Sequence, residues 1–242
     1  MSYFLFNGVN SDELGLMVTS PPIRPTWELE NTEFTLAGRS SKYVQMSKTY
    51  DMQTMTIETF LDDISPESLQ KLYLTFQGQG KLWLSSSPAE YLEVIAHPPD
   101  IKSVAYLAGE CKLKFTVKPF ARAVNPTIVE INLQNSYKPV NNGGTVFSEP
   151  EISFISFANQ DIKISVNGAD FTVTHPECCT FDSTIFIDCE EQIVYFQRPE
   201  GTIHTCMQYT TGDLPLLHTG ENYISYSGAI KDFKINVKER FL

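Results

Sequence analysis

IKISVNGADFTVT, residues 162–174, is the stretch on which the fold turns. Ile162, Ile164 and Val166 alternate with Lys163 and Ser165, and after Asn167-Gly168 the alternation resumes with Phe171 and Val173 between Asp170, Thr172 and Thr174. A period of two sends successive side chains to opposite sides of a strand, so each run is a strand with one buried face. Asn-Gly tolerates the positive φ angles of a two-residue turn, and the two runs therefore read as a tight hairpin.

Outward from this hairpin the same pattern recurs. TIFID (184–188), IVYFQ (193–197), YISYS (223–227) and DFKINV (232–237) are short, rich in β-branched and aromatic residues, and spaced as in a β-sandwich. NNGGT (141–145) and HTGEN (218–222) supply turn chemistry between them. On the N-terminal side, Ile128, Glu130 and Asn132 alternate with Val129, Ile131 and Leu133. The second half is thus all β.

The first half adds a helix to its strands. MQTMTIETFLDD (52–63), KLWLSS (81–86), YLEVIA (91–96) and CKLKFTVKPF (111–120) read as strands. SPESLQKLYLTFQG begins with Ser65 as an N-cap, Pro66 in the first helical position and Glu67 at the positive dipole end. Leu69, Leu72, Tyr73 and Phe76 share one helical face, and Gly78 stops the helix. Such a stripe must be buried against the neighbouring strands, which makes residues 1–124 a small α+β module. Residues 18–50, with Pro21, Pro22 and Pro25 ahead of TWELENTEFTL, read as an extended arm or long hairpin rather than core, with a surface loop as the plainer option. In RAVNPTIVE, Pro126 pushes Asn125 away from helical geometry, so the second module is expected to cover 125–242, with DFKINV free to pack on either module.

Composition limits the functions open to this chain. Its 242 residues carry 18 Lys+Arg against 29 Asp+Glu, a net charge of −11 that argues against general nucleic-acid binding. At 42% hydrophobic and 19% charged, it can bury a core instead of remaining disordered. No apolar run is long enough to cross a membrane, and the first residues lack the basic start and apolar stretch of a secretory signal. An odd count of five Cys and the lack of any Asn-x-Ser/Thr acceptor fit synthesis in a reducing cytoplasm, where the thiols stay free.

The motifs of enzyme chemistry are missing. There is no Gly-x-Ser-x-Gly elbow, no His-Glu-x-x-His pair and no Gly-x4-Gly-Lys-Ser/Thr phosphate loop. Gly78-Gln79-Gly80 follows a helix instead of opening one and reads as an exit turn, not a dinucleotide fingerprint. His175, Cys178, Cys179 and Cys189 are close enough to suggest zinc, but no Cys-x2-Cys pair occurs and adjacent strand cysteines point apart, so no metal site is assigned. Asp62-Asp63 and Glu190-Glu191 sit at element ends, where solvated turn carboxylates are expected, so no catalytic pair is assigned either. Tyr195, Phe196, Tyr209, Tyr223 and Tyr226 present two options, a sugar-stacking platform or ordinary core and cross-strand aromatics. The residues alone describe an acidic, two-module, β-rich assembly or binding protein with no catalytic, cofactor or metal residues.

FLFNGVNSDELGLMV (4–18), LAGRSSK (36–42), GTVFSEPEISF (144–154), STIFIDCEEQIVY (183–195), GDLPLLHTGENYISYSG (212–228) and GAIKDFKINVKERFL (228–242) resemble, in that order, the distal tail proteins (Dit) of siphophages infecting Gram-positive bacteria. LAGRSSK departs from the Gly-Arg-Asn/Asp-Gly form associated with that family. The resemblance implies a mainly β chain, with an N-terminal α+β ring-forming domain in 1–124 and a C-terminal galectin-like or carbohydrate-module-like β-sandwich in 125–242. It implies a homo-hexamer at the virion tail tip, made in the host cytoplasm. The expected partners are the tail-tube protein and the tail-associated lysin, tail fibre or receptor-binding protein. DNA would pass through such a ring without specific binding, and no membrane is involved. The other function open is carbohydrate-binding host recognition through the C-terminal sandwich.

Overall fold

In a strand-rich chain, alternation decides which face of each sheet is buried, and the burial pattern follows it along Gln53–Leu61 and Glu151–Ser156. The computed structural model describes residues 2–34, 43–105, 108–132, 137–157, 160–174 and 183–242. The chain divides into two compact units, one reaching Val124 and the other spanning Asn125–Phe241. The LAGRSSK segment, His175, Cys178 and Cys179 lie outside the described residues.

The first unit contains β1 (Phe4–Phe6), β2 (Val9–Asn10), β3 (Leu16–Val18), β4 (Leu29–Phe34), β5 (Tyr43–Tyr50), β6 (Gln53–Leu61), α1 (Pro66–Thr75), β7 (Gly78–Leu84), β8 (Glu90–Ala96), β9 (Asp100–Ser103) and β10 (Gly109–Ala123). Its main sheet runs β2-β1-β7-β8-β10-β6-β3, all antiparallel, with β9 also on β10. The long strand β10 is its spine. It pairs with β6 along Gly109–Val117 on one side, and on the other with β9 first and then β8. Its register with β8 slips between Val117 and Ala121, where Pro119 donates no backbone hydrogen bond and Phe120 takes a positive φ of 67°.

Phe4, Phe6, Phe76 and Phe115 form the aromatic centre of this unit, with ring centroids 5.4–6.1 Å apart. Ser65 caps α1 by accepting the Ser68 N–H at 3.4 Å, and Leu72 and Phe76 are buried. Each contributes about 1.5–3 kcal/mol of burial. Tyr73, expected on the same face, is exposed. At 100° per residue it stands well away from the Leu72–Phe76 direction, so the buried stripe is narrower than the sequence spacing implies. Gly78 opens β7 with a φ of 71°, and a Cβ on Gly80 would meet the Phe6 ring at 2.5 Å. The two glycines of this motif therefore serve a turn and a packing contact.

The Pro-rich segment corrects one expectation. β4 and β5 form their own two-stranded sheet. Yet the segment leading into it is anchored, because Trp27 is buried against Phe120 at 6.3 Å and Arg24 pairs with Glu90 at 2.5 Å. Burial of the indole outweighs the irregular, proline-broken backbone around it.

The second unit contains β11 (Ile128–Ile131), β12 (Lys138–Asn142), β13 (Glu151–Ser156), β14 (Ile162–Val166), β15 (Ala169–Val173), β16 (Ser183–Asp188), β17 (Ile193–Gln197), β18 (Ile203–Thr205), β19 (Thr210–Thr211), β20 (Gly220–Ser227) and β21 (Ile230–Asn236). One sheet runs β11-β21-β13-β16-β17-β18 and the other β12-β20-β14-β15-β19. Residues such as Phe154, Phe196 and Phe233 from the first and Ile164, Phe171 and Tyr226 from the second share one buried core, the arrangement of a β-sandwich. DFKINV belongs here, between β11 and β13.

The β14–β15 hairpin closes at Asn167-Gly168 with φ angles of 52° and 86°, both in the left-handed region. The Asn167 side chain then reaches β20, accepting from the Tyr223 N–H at 2.9 Å and donating to Asn222 Oδ1 at 2.8 Å. Asn222 was expected in a turn, but it is a fully buried strand residue. Its amide closes the preceding loop through His218 and Gly220, so the polar group is satisfied without solvent. Gly212 has a φ of 97°, and a Cβ there would sit 2.3 Å from the Asp170 carbonyl oxygen. Gly212→Ala is expected to destabilise the sandwich by about 1–3 kcal/mol, read as a lower urea midpoint at unchanged slope.

Candidate functional site

The carboxylate pairs are occupied by structure. Asp63 accepts from the Ser65 N–H at 2.8 Å and from the Ser65 and Ser68 hydroxyls, and these bonds, Ser68 first, hold its carboxyl below the usual range. It fixes the entry to α1. Asp188 accepts from the backbone N–H groups of Glu190 and Glu191, which turns the chain after β16. Glu190 faces Lys238 at 3.9 Å and Arg240 at 3.3 Å, in a network that also includes Glu149, Glu151 and Asp188. Both cations lie near the C-terminus, so this network tethers the last residues of the second unit to β13 and β16.

Among the described residues, no group of three His, Cys, Asp or Glu side chains is placed to hold a metal ion, and no helix is long and apolar enough to cross a membrane. Cys111, Cys189 and Cys206 are buried free thiols. Burial pushes Cys111 up to about 11, and burial followed by the nearby Asp188 and Glu149 charges pushes Cys189 up to about 12. Thiols of this kind are poor nucleophiles at neutral pH. They should resist an aromatic disulfide reagent at pH 8 until denaturant is added. The sign of their pH effect follows from the same shifts. The unfolded thiols ionise near pH 9 while the folded ones keep their protons, so stability is full below pH 9 and falls as pH rises toward 11 and 12. Urea titrations across that range check it.

The five aromatics of the second unit do not converge. Phe196 and Tyr226 are buried in the core from opposite sheets. Tyr195 stacks on its cross-strand neighbour Phe186 at 5.0 Å on one sheet, whereas Tyr223 is half exposed on the other. Alternation alone separates them, since Tyr195 and Phe196 are adjacent in one strand and must face opposite ways. A single platform built from all five is ruled out.

The second unit carries a polar groove of about 220 Å³ on the outward side of the five-stranded sheet. It is lined by Tyr137, Lys163, Ser165, Asp170, Ser225 and Ser227. Lys163 Nζ and an Asp170 oxygen are 2.7 Å apart. Sequence reading missed this group, although the polar positions of IKISVNGADFTVT and YISYS are the strand residues that alternate with the core. On the first unit, a second groove of about 450 Å³ lies where residues 20–26 run beside Thr54, Met55, Thr56 and Glu58 of β6. Ile23 is almost fully exposed at its rim.

No protein-family profile and no curated relative matches the sequence. Solved structures do match. The Dit protein of phage SPP1, described as a paradigm of the hub adsorption apparatus in phages infecting Gram-positive hosts, aligns with 13% identity and a TM-score of 0.76, covering 100% of both chains. Chains from the phage p2 baseplate in its activated conformation, with strontium and with calcium, align at 10% identity and TM-scores of 0.53 and 0.52, again over 100% of both chains. At these identities the likeness concerns architecture, and it spans both units of this chain. From end to end, this chain has the fold of the SPP1 Dit protein.

Proposed function

We propose that this chain is the structural hub of a phage tail tip, a homo-hexameric ring that joins the tail tube to the tail-associated lysin, tail fibre or receptor-binding proteins. The observation that carries this reading is the full-length agreement of both units with the SPP1 hub protein. The role is architectural and needs no catalytic group. The separate β4–β5 hairpin suits it, because a head-to-tail ring closes through contacts between different surfaces of neighbouring subunits and an extended element can clasp the next copy. Charge suits it too. A net charge of −11 is compatible with a ring that DNA passes through, since carboxylates on a lumen would repel a duplex over about one Debye length, ~8 Å at physiological salt, where basic residues would bind it.

Native mass spectrometry tests the reading. The expected species is six copies of the 27.3 kDa chain, formed alone or on adding tail-tube protein. A chain that stays monomeric alone and with both tail-tube and tail-tip partners, or that binds duplex DNA tightly at physiological salt, would overturn it.

A further inference from the structure

Three Asn-Gly steps occur in the chain, at Asn7-Gly8, Asn142-Gly143 and Asn167-Gly168. This is the step at which a polypeptide most readily loses ammonia without an enzyme. The glycine amide nitrogen gives its proton to solvent base and attacks the asparagine Cγ; the new C–N bond closes a five-membered succinimide as the Cγ–Nδ2 bond breaks and ammonia leaves. Water then opens the ring at either carbonyl, giving aspartate or isoaspartate. Glycine permits the attack because no Cβ shields its nitrogen. The surroundings of the three glycines do not separate them, since a Cβ on Gly8, Gly143 or Gly168 would meet nothing within 4 Å. The asparagine, however, must swing its Cγ onto that nitrogen, so each hydrogen bond that holds its side chain elsewhere has to break first.

The three asparagines differ in those bonds. Asn142 is buried, and its amide donates to the Val146 and Leu217 carbonyls at 3.0 and 3.3 Å while accepting from the Gly144 N–H at 3.0 Å. Asn7 and Asn167 hold equivalent places, the first position of a two-residue hairpin turn, with φ angles of 50° and 52°. Each extends a sheet with its side chain. The Asn7 N–H donates to the Lys81 carbonyl and Asn7 Oδ1 accepts the Lys81 N–H, both at 2.9 Å, and Asn167 does the same with Tyr223. A second anchor divides them. Asn167 Nδ2 donates to Oδ1 of the fully buried Asn222 at 2.8 Å, whereas Asn7 is exposed and its Nδ2 has no acceptor among the described residues. We propose that Asn7 is the first site at which the folded chain deamidates, a spontaneous modification that consumes only water, and that Asn167 and Asn142 are held intact by their anchors. The two products differ in effect. Aspartate at position 7 keeps an oxygen for the Lys81 N–H, whereas isoaspartate adds a methylene to the main chain of a turn whose length sets the β1–β2 register.

Ageing the full chain in mildly alkaline buffer, folded and in parallel in urea, tests this. Peptide mass spectrometry reads the amide-to-acid change at each asparagine, and isoaspartyl methyltransferase labelling reads the rearranged product. In urea the three sites should react at similar rates. Folding should slow Asn7 about fivefold, Asn167 about thirtyfold and Asn142 by more than about a hundredfold, since each hydrogen bond that must break is worth roughly a factor of five. Asn7→Gln, whose longer side chain closes a larger ring more slowly, should remove the early product. Asn222→Ser takes away the Asn167 Nδ2 acceptor and should speed reaction at Asn167 about fivefold. Should that variant fail to fold, the folded-to-urea ratios of the unchanged chain decide alone. Asn167 or Asn142 reacting as fast as Asn7 in the folded chain, or Asn7 protected as strongly as Asn142, would overturn the proposal.

Discussion

Replacing residues 30–49 with an Asn-Gly turn is expected to give a folded monomer in place of the proposed six-membered ring. The cut follows the register, because Leu29 and Tyr50 face each other at the base of the β4–β5 pair and can be rejoined by a two-residue turn. Trp27, Tyr50 and Phe120 stay in place, with Tyr50 against Phe120 at 4.8 Å and Trp27 against Phe120 at 6.3 Å, so the first unit keeps its packing. A lone two-stranded hairpin is marginal in water, and a hairpin of this length that forms no strand pairs with the main sheet gains most from a neighbour that covers it. Losing about 4 kcal/mol of contact per interface weakens association roughly a thousandfold, enough to dissolve a ring at micromolar subunit concentration. Native mass spectrometry reads the ring and circular dichroism the fold. Trp27→Ala provides the contrast, since it should lower the melting temperature by emptying a packed site. Rings that persist after the replacement would mean that the arm is not the clasp.

Fold was legible where one local rule acts alone. The alternation of IKISV and ADFTV about Asn167-Gly168 fixes strand, face and turn together, and the structure has all three. Ser65 and Pro66 mark the start of α1 for the same reason. Reading failed where tertiary contact decides. Nothing local distinguishes Asn222 from a turn asparagine; its burial depends on the Asn167 side chain, 55 positions away in sequence, and on the loop it closes. Trp27 sits among prolines that announce an exposed arm, and only the bulge that turns Phe120 toward it explains its burial. The candidate groove was hidden differently. Its serines, lysine and aspartate lie on three strands, ordinary as composition, and the register of β14, β15 and β20 is what makes them neighbours. The aromatics drew attention by their type, but strand alternation had already divided them between core and surface.

Phe233→Ala is expected to remove about 3–5 kcal/mol from the second unit alone, a large share of the ~5–15 kcal/mol that holds a domain together. Phe233 is fully buried and stacks on Phe154 of its own sheet at 5.9 Å and on Tyr226 of the opposite sheet at 4.7 Å, so its ring lies at the junction of the two layers. Truncation leaves a cavity that two stiff sheets cannot close. If the units separated at Val124 and Asn125 melt independently, calorimetry should show two transitions. Phe233→Ala should lower one of them by roughly 10–20 °C and leave the other in place, given a shift of about 4 °C per kcal/mol in domains of this size. Phe76→Ala should do the reverse, because Phe76 touches Phe4, Phe6 and Phe115 in the first unit. Residues 125–242 expressed alone should then show one β-type transition, sensitive to Phe233→Ala by the same amount. A single transition that both substitutions move equally would mean that the two cores fold as one. In that case the arm replacement could not be read as a local change, because loss of a clasp and loss of the whole subunit's stability would give the same monomer.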